Sequence, residues 1–593
     1  MSTHARPLAV WLAAATDSQL SALFEARGVR FDSSWSDFFD AAEHLLDPAS
    51  IERMLPRLTL QEATALRRAV DRTATSAAGG EEDLVIDEGD RADTTAALVA
   101  VALLRPDGTA YPPIVDAVTA RDLPPTPHPD PTTSSSEIAE AHAAERAFTS
   151  VAALADLLML AREAPLALLT SGTLAAGEKR RLGDAGLPVE IMDALVMLAE
   201  DAALVTTTHR QLRLTSTGEN WLRLAALERW TRLSEAFRVA LPNGLRTSAG
   251  GWLPVPLWEH QHPWDPSWHE RCAALRSRAR LLGLIADDDS EPTWAVPIRE
   301  GRRVEVAALQ RLLPDEVDRI FLQNDLSAIA PGPLAPALDV RLRGMASRES
   351  AAQASSYRFT AESISHAIAS GETASSILDF LGQLSLTGIP QPLEYLVMQT
   401  AQRHGLVRVF ADPETERTRV TSQDSTLLDA MGVDQALRPL GLSRDASGLT
   451  SRVGRDTVYW ALTDARYPAT IVGADGQPQI IDRNPAPSTG DTTPQSYDAL
   501  IARLRAHQGP DADAAWLDRE LEAAVRTKAV LLVAVGMPDG STRELLLEAT
   551  GLGGGRLRGR DRAADVERTL PVRSILSARV FDPSPTPPTT SSP

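Results

Sequence analysis

The chain has 593 residues, 43% of them hydrophobic and 23% charged, which excludes wholesale disorder and, at about 150 residues per domain, predicts about four folding units. Asp and Glu outnumber Lys and Arg 79 to 59, for a net charge of -20. That balance opposes a protein that coats nucleic acid by bulk charge, because non-specific affinity comes from neutralising phosphates, so any nucleic-acid site must be a local patch.

Near the start, Met1–Pro7 carries one arginine before a short apolar stretch, and no apolar run of about 20 residues occurs. The expectation is a soluble cytoplasmic protein without signal peptide or membrane span, compatible with nucleoid association. Cys272 is the single cysteine, which leaves no intramolecular disulfide and no multi-cysteine zinc or iron–sulfur site.

In residues 1–73, Leu8, Trp11 and Leu12, then Leu20, Leu23 and Phe24, then Met54, Leu55 and Leu58 recur at helical spacing, predicting a small helical bundle with caps at Asp17 and Asp47–Pro48. Residues 74–149 read as a partly disordered linker region with a short helical segment, the linker composition being densest at 74–95 and 123–136. Across 150–316, helices are predicted at Val151–Arg162, Leu174–Ala185 and Val189–Glu200, followed by alternating runs at Ala203–Thr208 and Leu212–Thr215 around a polar turn. Three helices and a hairpin predict a winged helix. A further helix starts at Ser216 and leads into Glu219–Phe237. A second helix-then-hairpin unit is then predicted from Ser267–Leu282, with strands at Gly283–Ile285 and Thr293–Val296 about the acidic turn Asp287–Asp289.

From residue 317 to 483 the pattern is that of an α+β unit. A strand is predicted over Ile320–Ala330 and a second over Tyr357–Thr360, with helices at Ala374–Leu384 and Leu393–His404 before the apolar run Leu406–Phe410. A linker at 484–496, a small β-rich unit at 497–581 and a Pro/Thr/Ser tail at 582–593 complete the chain. The fold class expected is α+β, mostly helical, in a multi-domain array.

The strings FLQNDLSAIAPGPL (321–334), YRFT (357–360), SISHAIASGETASSILDFL (363–381) and IPQPLEYLVMQTAQRHGLVRV (389–409) resemble the N-terminal domain of XPB-type helicases as it occurs in bacterial helicase-associated proteins, which carry it apart from any motor. The likeness extends back through APLALLTSGTLAAGEKRRLG (164–183) and forward through ALTDARYPATIVGADGQ (461–477). At the end, LEAAVRTKAVLLVAV (521–535), GSTRELLLEATGLGGGRLRGRD (540–561) and ERTLPVRSI (567–575) resemble a WYL domain, a small β-barrel-like module that binds nucleic acid or regulatory ligands. Arg556-Leu557-Arg558 stands where that family has its aromatic triplet, and Arg573 matches the family's arginine near the closing strand. The resemblance implies a partner, an XPB-type helicase or associated nuclease.

A helicase motor needs a Gly-rich loop ending Gly-Lys-Ser/Thr. The only lysines, Lys179 and Lys528, stand in neither such context, and Asp315-Glu316 precedes its predicted strand instead of closing it. No Gly-x-Ser-x-Gly elbow occurs. Glu259, His260, His262, His269 and Glu270 gather metal-ligand types, but the spacing fits no known site, and seven of the eleven tryptophans fall between Trp221 and Trp294, which reads as a Trp-rich domain surface or core with polar loop residues. Gly551–Gly555 reads as a flexible turn. No catalytic residue, cofactor or metal is expected.

Two basic clusters remain. On a strand, Arg556, Arg558, Arg560 and Arg562 would share one face, either as a phosphate-binding stripe with Arg573 or as a solvated edge balanced by Asp561, Asp565 and Glu567. Lys179, Arg180 and Arg181 lie on the middle helix of the expected winged helix, whose third helix bears Glu190, Asp193 and Glu200 and would repel a groove floor. The function expected is a non-catalytic, helicase-associated adaptor of DNA transactions such as repair, touching DNA weakly through local basic patches. The rivals are a WYL-type ligand-responsive transcriptional regulator and an autonomous helicase, the latter opposed by the missing motor motifs.

Overall fold

Apolar side chains sort into five cores, and the sorting does not follow chain order. The computed structural model describes residues 5–77, 88–125, 134–351, 354–413, 415–473, 476–481, 483, 496–508, 512–537 and 541–581. The expected tail at 582–593 and, apart from Ser496, the expected linker at 484–496 lie outside these residues, as do 78–87 and 126–133 of the other two linkers. About half of the chain is helical and the rest includes several small sheets, an α+β class.

The N-terminal core begins as the periodicity indicates, with Leu8, Leu12, Leu20, Phe24 and Leu55 buried. Its second helix, Asp17–Ala26, is capped by Thr16, whose hydroxyl accepts from Gln19 N while the Gln19 side chain accepts from Thr16 N, one residue before the Asp17 expected. The core does not stop at residue 73. Leu98 of helix Glu88–Ala100 and Ile114 and Val118 of helix Pro112–Thr119 are buried in it.

It also takes in residues from the far end of the chain. Helix Asp498–Ala506 inserts Leu500, Ile501 and Leu504, Tyr497 Oη donates to Val29 O at 2.8 Å, and Arg519 Nη1 reaches Asp37 Oδ2 at 3.0 Å while lying over the Phe39 ring. The expected 497–581 unit is therefore divided between two cores. Helix Ala512–Thr527 gives Trp516 to this one and Leu517, Leu521 and Ala524 to the C-terminal one. Periodicity marks an apolar face but not the core that receives it.

The second core is built on one long helix, Glu137–Glu163, capped by Ser136 and running through the expected boundary at 150. Its first half buries Ala143, Ala144, Ala147 and, at its end, Ser150, small residues that carry a weak hydrophobic signal. Helices Ala176–Asp184 and Met192–Asp201 follow. The hairpin of Val205–Thr208 and Gln211–Leu214 is then joined by Leu166–Ala167, which pairs antiparallel with the second strand. The expected helix from Ser216 breaks into Ser216–Trp221 and Ala226–Ala240.

The second predicted hairpin does not form. Gly283, at φ +62°, lies so close to the long helix that a Cβ there would sit 2.4 Å from Ala143 O. The acidic segment then turns on itself, with Ala286 N donating to Ser290 O, and Trp294 Nε1 donates back to Gly283 O at 2.9 Å. Thr293–Val296 accordingly leads into helix Ala295–Arg299.

Residues 320–403 and 407–471 form separate cores. The single strand predicted over Ile320–Ala330 is a hairpin, Phe321–Leu322 against Ser327–Ala330, because the Asp325 carboxylate accepts from Ser327 N and Oγ and Leu326 adopts φ +66°. Strand Ser355–Arg358 and strand Ser347–Ala351 extend that sheet, with helices Ala361–Ala369, Ala374–Leu384 and Gln391–Arg403 contributing to the core. The following six-stranded sheet is centred on Val407–Asp412 and Arg417–Ser422.

Candidate nucleic-acid interface

The C-terminal sheet has five strands, in spatial order Val566–Pro571, Arg556–Asp561, Thr542–Gly553, Val530–Gly536 and Ile575–Val580, with neighbouring strands antiparallel. Among the described residues the two outer strands do not pair, so the sheet is open and not barrel-like as the resemblance implied. Helix Ala512–Thr527 covers one face, burying Leu531, Val533, Leu547 and Leu557 against Leu521 and Ala524.

On strand Arg556–Asp561 the residues alternate exposed and buried without interruption: Arg556, Arg558 and Arg560 face solvent, and Leu557, Gly559 and Asp561 face inward. Two inner positions are not aliphatic. Gly559 is required by crowding, since a Cβ there would lie 2.8 Å from both Glu548 O and Leu547 Cδ2. Asp561, 2% exposed, accepts from Ala563 N, Ala564 N and Arg568 Nε, and its hydrogen bond with Arg568 holds its carboxyl below the ordinary aspartate range. The glycine run is less loose than expected. Gly551 and Gly553 belong to the preceding strand, and only Gly554 and Gly555, at φ +61° and +70°, make the two-residue turn.

The stripe is not uniform. Arg560 pairs with Asp565 at 2.7 Å and stands opposite Glu567 and Glu548, and Arg562, beyond the strand end, pairs with Glu548 at 2.9 Å. Arg556 stands opposite Pro571 and Arg558 opposite Thr569, and among the described residues neither has an ionic partner. Arg573, exposed on the short helix Val572–Ser574, joins that end, because Val572 N donates to Gly555 O. Arg556 and Arg558 form the free end of the stripe, the backbone preceding Arg573 meets the turn beside Arg556, and Arg560 stands at the neutralised end.

The other basic cluster is largely consumed. Lys179 Nζ is paired with Asp193 of helix Met192–Asp201, Arg181 Nη2 pairs with Glu178 at 2.9 Å, and only Arg180 is exposed and unpaired among the described residues. The Lys179–Asp193 bond crosses between helices, so the linear spacing gave no sign of it. Helix Met192–Asp201 is moreover buried through Met192, Leu195, Val196, Leu198 and Ala199, and Arg278 reaches over to Asp201.

The histidine-rich segment forms no metal centre among the described residues. His262 Nδ1 donates to Leu58 O at 3.0 Å and its ring packs on Trp268, while Glu259 pairs with Arg276 at 2.8 Å. All seven tryptophans from Trp221 to Trp294 are buried, and the indole N–H groups of Trp230, Trp258, Trp264, Trp268 and Trp294 each donate to a backbone carbonyl within 2.9 Å. The acidic Glu316 caps a helix, accepting from Ala226 N at 2.8 Å.

No helix among the described residues is long and apolar enough to cross a membrane. No curated protein matches the chain. Residues 320–446, less than a quarter of the sequence, match the family model of the helicase conserved C-terminal domain. The chain therefore carries a helicase-related domain between its Trp-rich second core and its arginine-bearing terminal sheet.

Proposed function

We propose that the protein is a non-catalytic, helicase-associated adaptor of DNA transactions such as repair, holding nucleic acid through Arg556, Arg558 and Arg573 while its other modules engage a helicase or nuclease. The observation that carries this reading is the helicase-family match at 320–446 in a chain without a phosphate-binding loop. Lys179 is engaged with Asp193, and Lys528 lies between helix Ala512–Thr527 and strand Val530–Gly536. Nucleotide sites of open α/β folds form at the carboxyl ends of parallel strands, whereas among the described residues the strand pairs of this region are antiparallel except one, Val407–Asp412 with Ala469–Val472.

The finer resemblances fit the same reading. An XPB-type N-terminal-like domain without a motor implies a partner that supplies one. The helices and hairpin of 137–214 suit a winged helix used for protein docking, since the third helix buries its apolar side and its exposed side carries acidic residues and Met197. The terminal sheet suits a WYL-like module that binds phosphates without base stacking. Purified full-length protein is expected not to hydrolyse ATP with or without single-stranded DNA, and to retain a helicase or nuclease from native lysate. DNA-stimulated hydrolysis by a homogeneous preparation would overturn the reading.

A further inference from the structure

Arg408 and Phe410 lie on the central strand Val407–Asp412 of the six-stranded sheet. Val407 and Val409 point to the core, with helices Ser425–Val433 and Arg455–Asp464 on that side. The intervening residues point the other way. Arg408 stands opposite Thr421 and Phe410 opposite Arg419, which in turn stands opposite Thr450; Asp412 stands opposite Arg417. Phe410 is half-buried and packs into none of the five cores, so its burial comes from its neighbours on the sheet face. Asp412 and Asp445 hold Arg419 in place at 2.9 and 3.2 Å, while Arg408 and Arg417 are exposed without ionic partners among the described residues.

We infer that this face is a second nucleic-acid site, specific for single strands: an unpaired base stacks on Phe410 beside the fixed Arg419 guanidinium, and Arg408 and Arg417 contact the flanking phosphates. A half-buried aromatic flanked by two exposed arginines on the central strands of a sheet suits a ligand with both flat apolar faces and regular negative charge. A duplex keeps its bases stacked on one another and offers only the charge. In a chain of net charge -20, the surplus of arginine over aspartate at this face marks it as a local exception. The surface is separate from the terminal arginine stripe, which has no aromatic ring on its strand.

The test is fluorescence anisotropy of the full-length protein with a fluorescein-labelled oligothymidylate and the same oligonucleotide as a duplex. Phe410→Leu keeps apolar volume and loses the ring. It should weaken single-strand binding by about tenfold with no change in salt dependence, and Phe410→Tyr should restore it. Arg408→Ala with Arg417→Ala should lower the salt slope for the single strand by about 1.4. Equal binding by parent, Phe410→Leu and Phe410→Tyr overturns the inference. So does displacement of the oligonucleotide by polyglutamate with Phe410→Leu indifferent, which would assign the face to an acidic protein segment. A loss confined to variants of Arg556, Arg558 and Arg573 would overturn this site and leave the proposed function standing; a loss confined to the Phe410 and Arg408 variants would do the reverse.

Discussion

The second core and the terminal sheet use arginine and aromatic residues in opposite ways. In the second core, charge and rings are turned inward: Arg229 is buried beside Trp221 with its guanidinium on backbone carbonyls, Arg278 is spent on Asp201, and Lys179 on Asp193. In the terminal sheet the one buried carboxylate, Asp561, is matched by a single arginine, Arg568, and Arg556 and Arg558 are left facing solvent. Both regions are arginine-rich in sequence, yet the terminal sheet leaves Arg556 and Arg558 without ionic partners among the described residues, whereas the Lys179–Arg181 cluster leaves only Arg180. A count of basic residues measures potential for phosphate binding only after the internal partners have been subtracted.

The largest effect should come from breaking the inward arrangement. Trp230, 2% exposed and bonded to Leu282 O, joins helix Ala226–Ala240 to the end of helix Trp268–Leu281. Trp230→Ala is expected to destabilise the second core by about 3–5 kcal/mol. Hydrogen exchange should show lost protection across 137–316 and little change in strands 530–580. A uniform loss in both would mean that the two regions unfold together.

A smaller effect is expected from Gly559→Val, where the added Cβ meets Glu548 O and Leu547 Cδ2. Overpacking of this kind costs about 1–3 kcal/mol, and exchange should accelerate in strands Thr542–Gly553 and Arg556–Asp561. Unchanged protection there would contradict the sheet register.

The elements of the chain also differ in how legible they are. Alternation along Arg556–Asp561 and helical periodicity in Leu8–Phe24 announce their elements because each repeats a local pattern. The helix over 137–150 was hidden by its alanines, and the false second hairpin came from reading Gly283 as a strand start when its role is to admit the backbone of Ala143. The insertion of Leu500 and Ile501 beside Leu8 and Phe24 is a long-range choice that no local pattern encodes. Within the candidate site, the arginine stripe and its balancing by Asp565 were visible, but the inward turn of Asp561 toward Arg568 and the approach of the segment at Arg573 to the Gly554–Gly555 turn depend on strand pairing.

Acidity supplies a gentler probe of the inward region. Burial, with a smaller contribution from Arg271, holds the His262 imidazole below its ordinary pKa, although its bond to Leu58 O acts the other way. The unfolded chain protonates this group near pH 6.5, so the folded state binds fewer protons below that value. Its contribution is complete above about pH 6.5 and is lost as pH falls toward the lower folded value. Exchange at Leu60 N, which donates to Gln261 O across the same seam, should speed up as pH falls below about 6.5 beyond its intrinsic change, and His262→Gln should remove that excess. The smallest effect belongs to Lys179→Ala with Arg181→Ala: surface pairs of this kind contribute about 0.2–1 kcal/mol, and DNA binding should not change.

The most direct measurement sets the two basic clusters against each other in one salt titration of duplex DNA binding by the full-length protein. Arg556→Ala, Arg558→Ala and Arg573→Ala combined should weaken binding irrespective of sequence and flatten the dependence on salt by about 2.7 units of slope. Lys179→Ala, Arg180→Ala and Arg181→Ala combined should flatten it by no more than about 0.9, the share of the one free arginine. A triple variant of the terminal sheet that binds as tightly as the parent, with the loss falling on the Lys179–Arg181 variant instead, would contradict the assignment of the terminal sheet as the nucleic-acid interface.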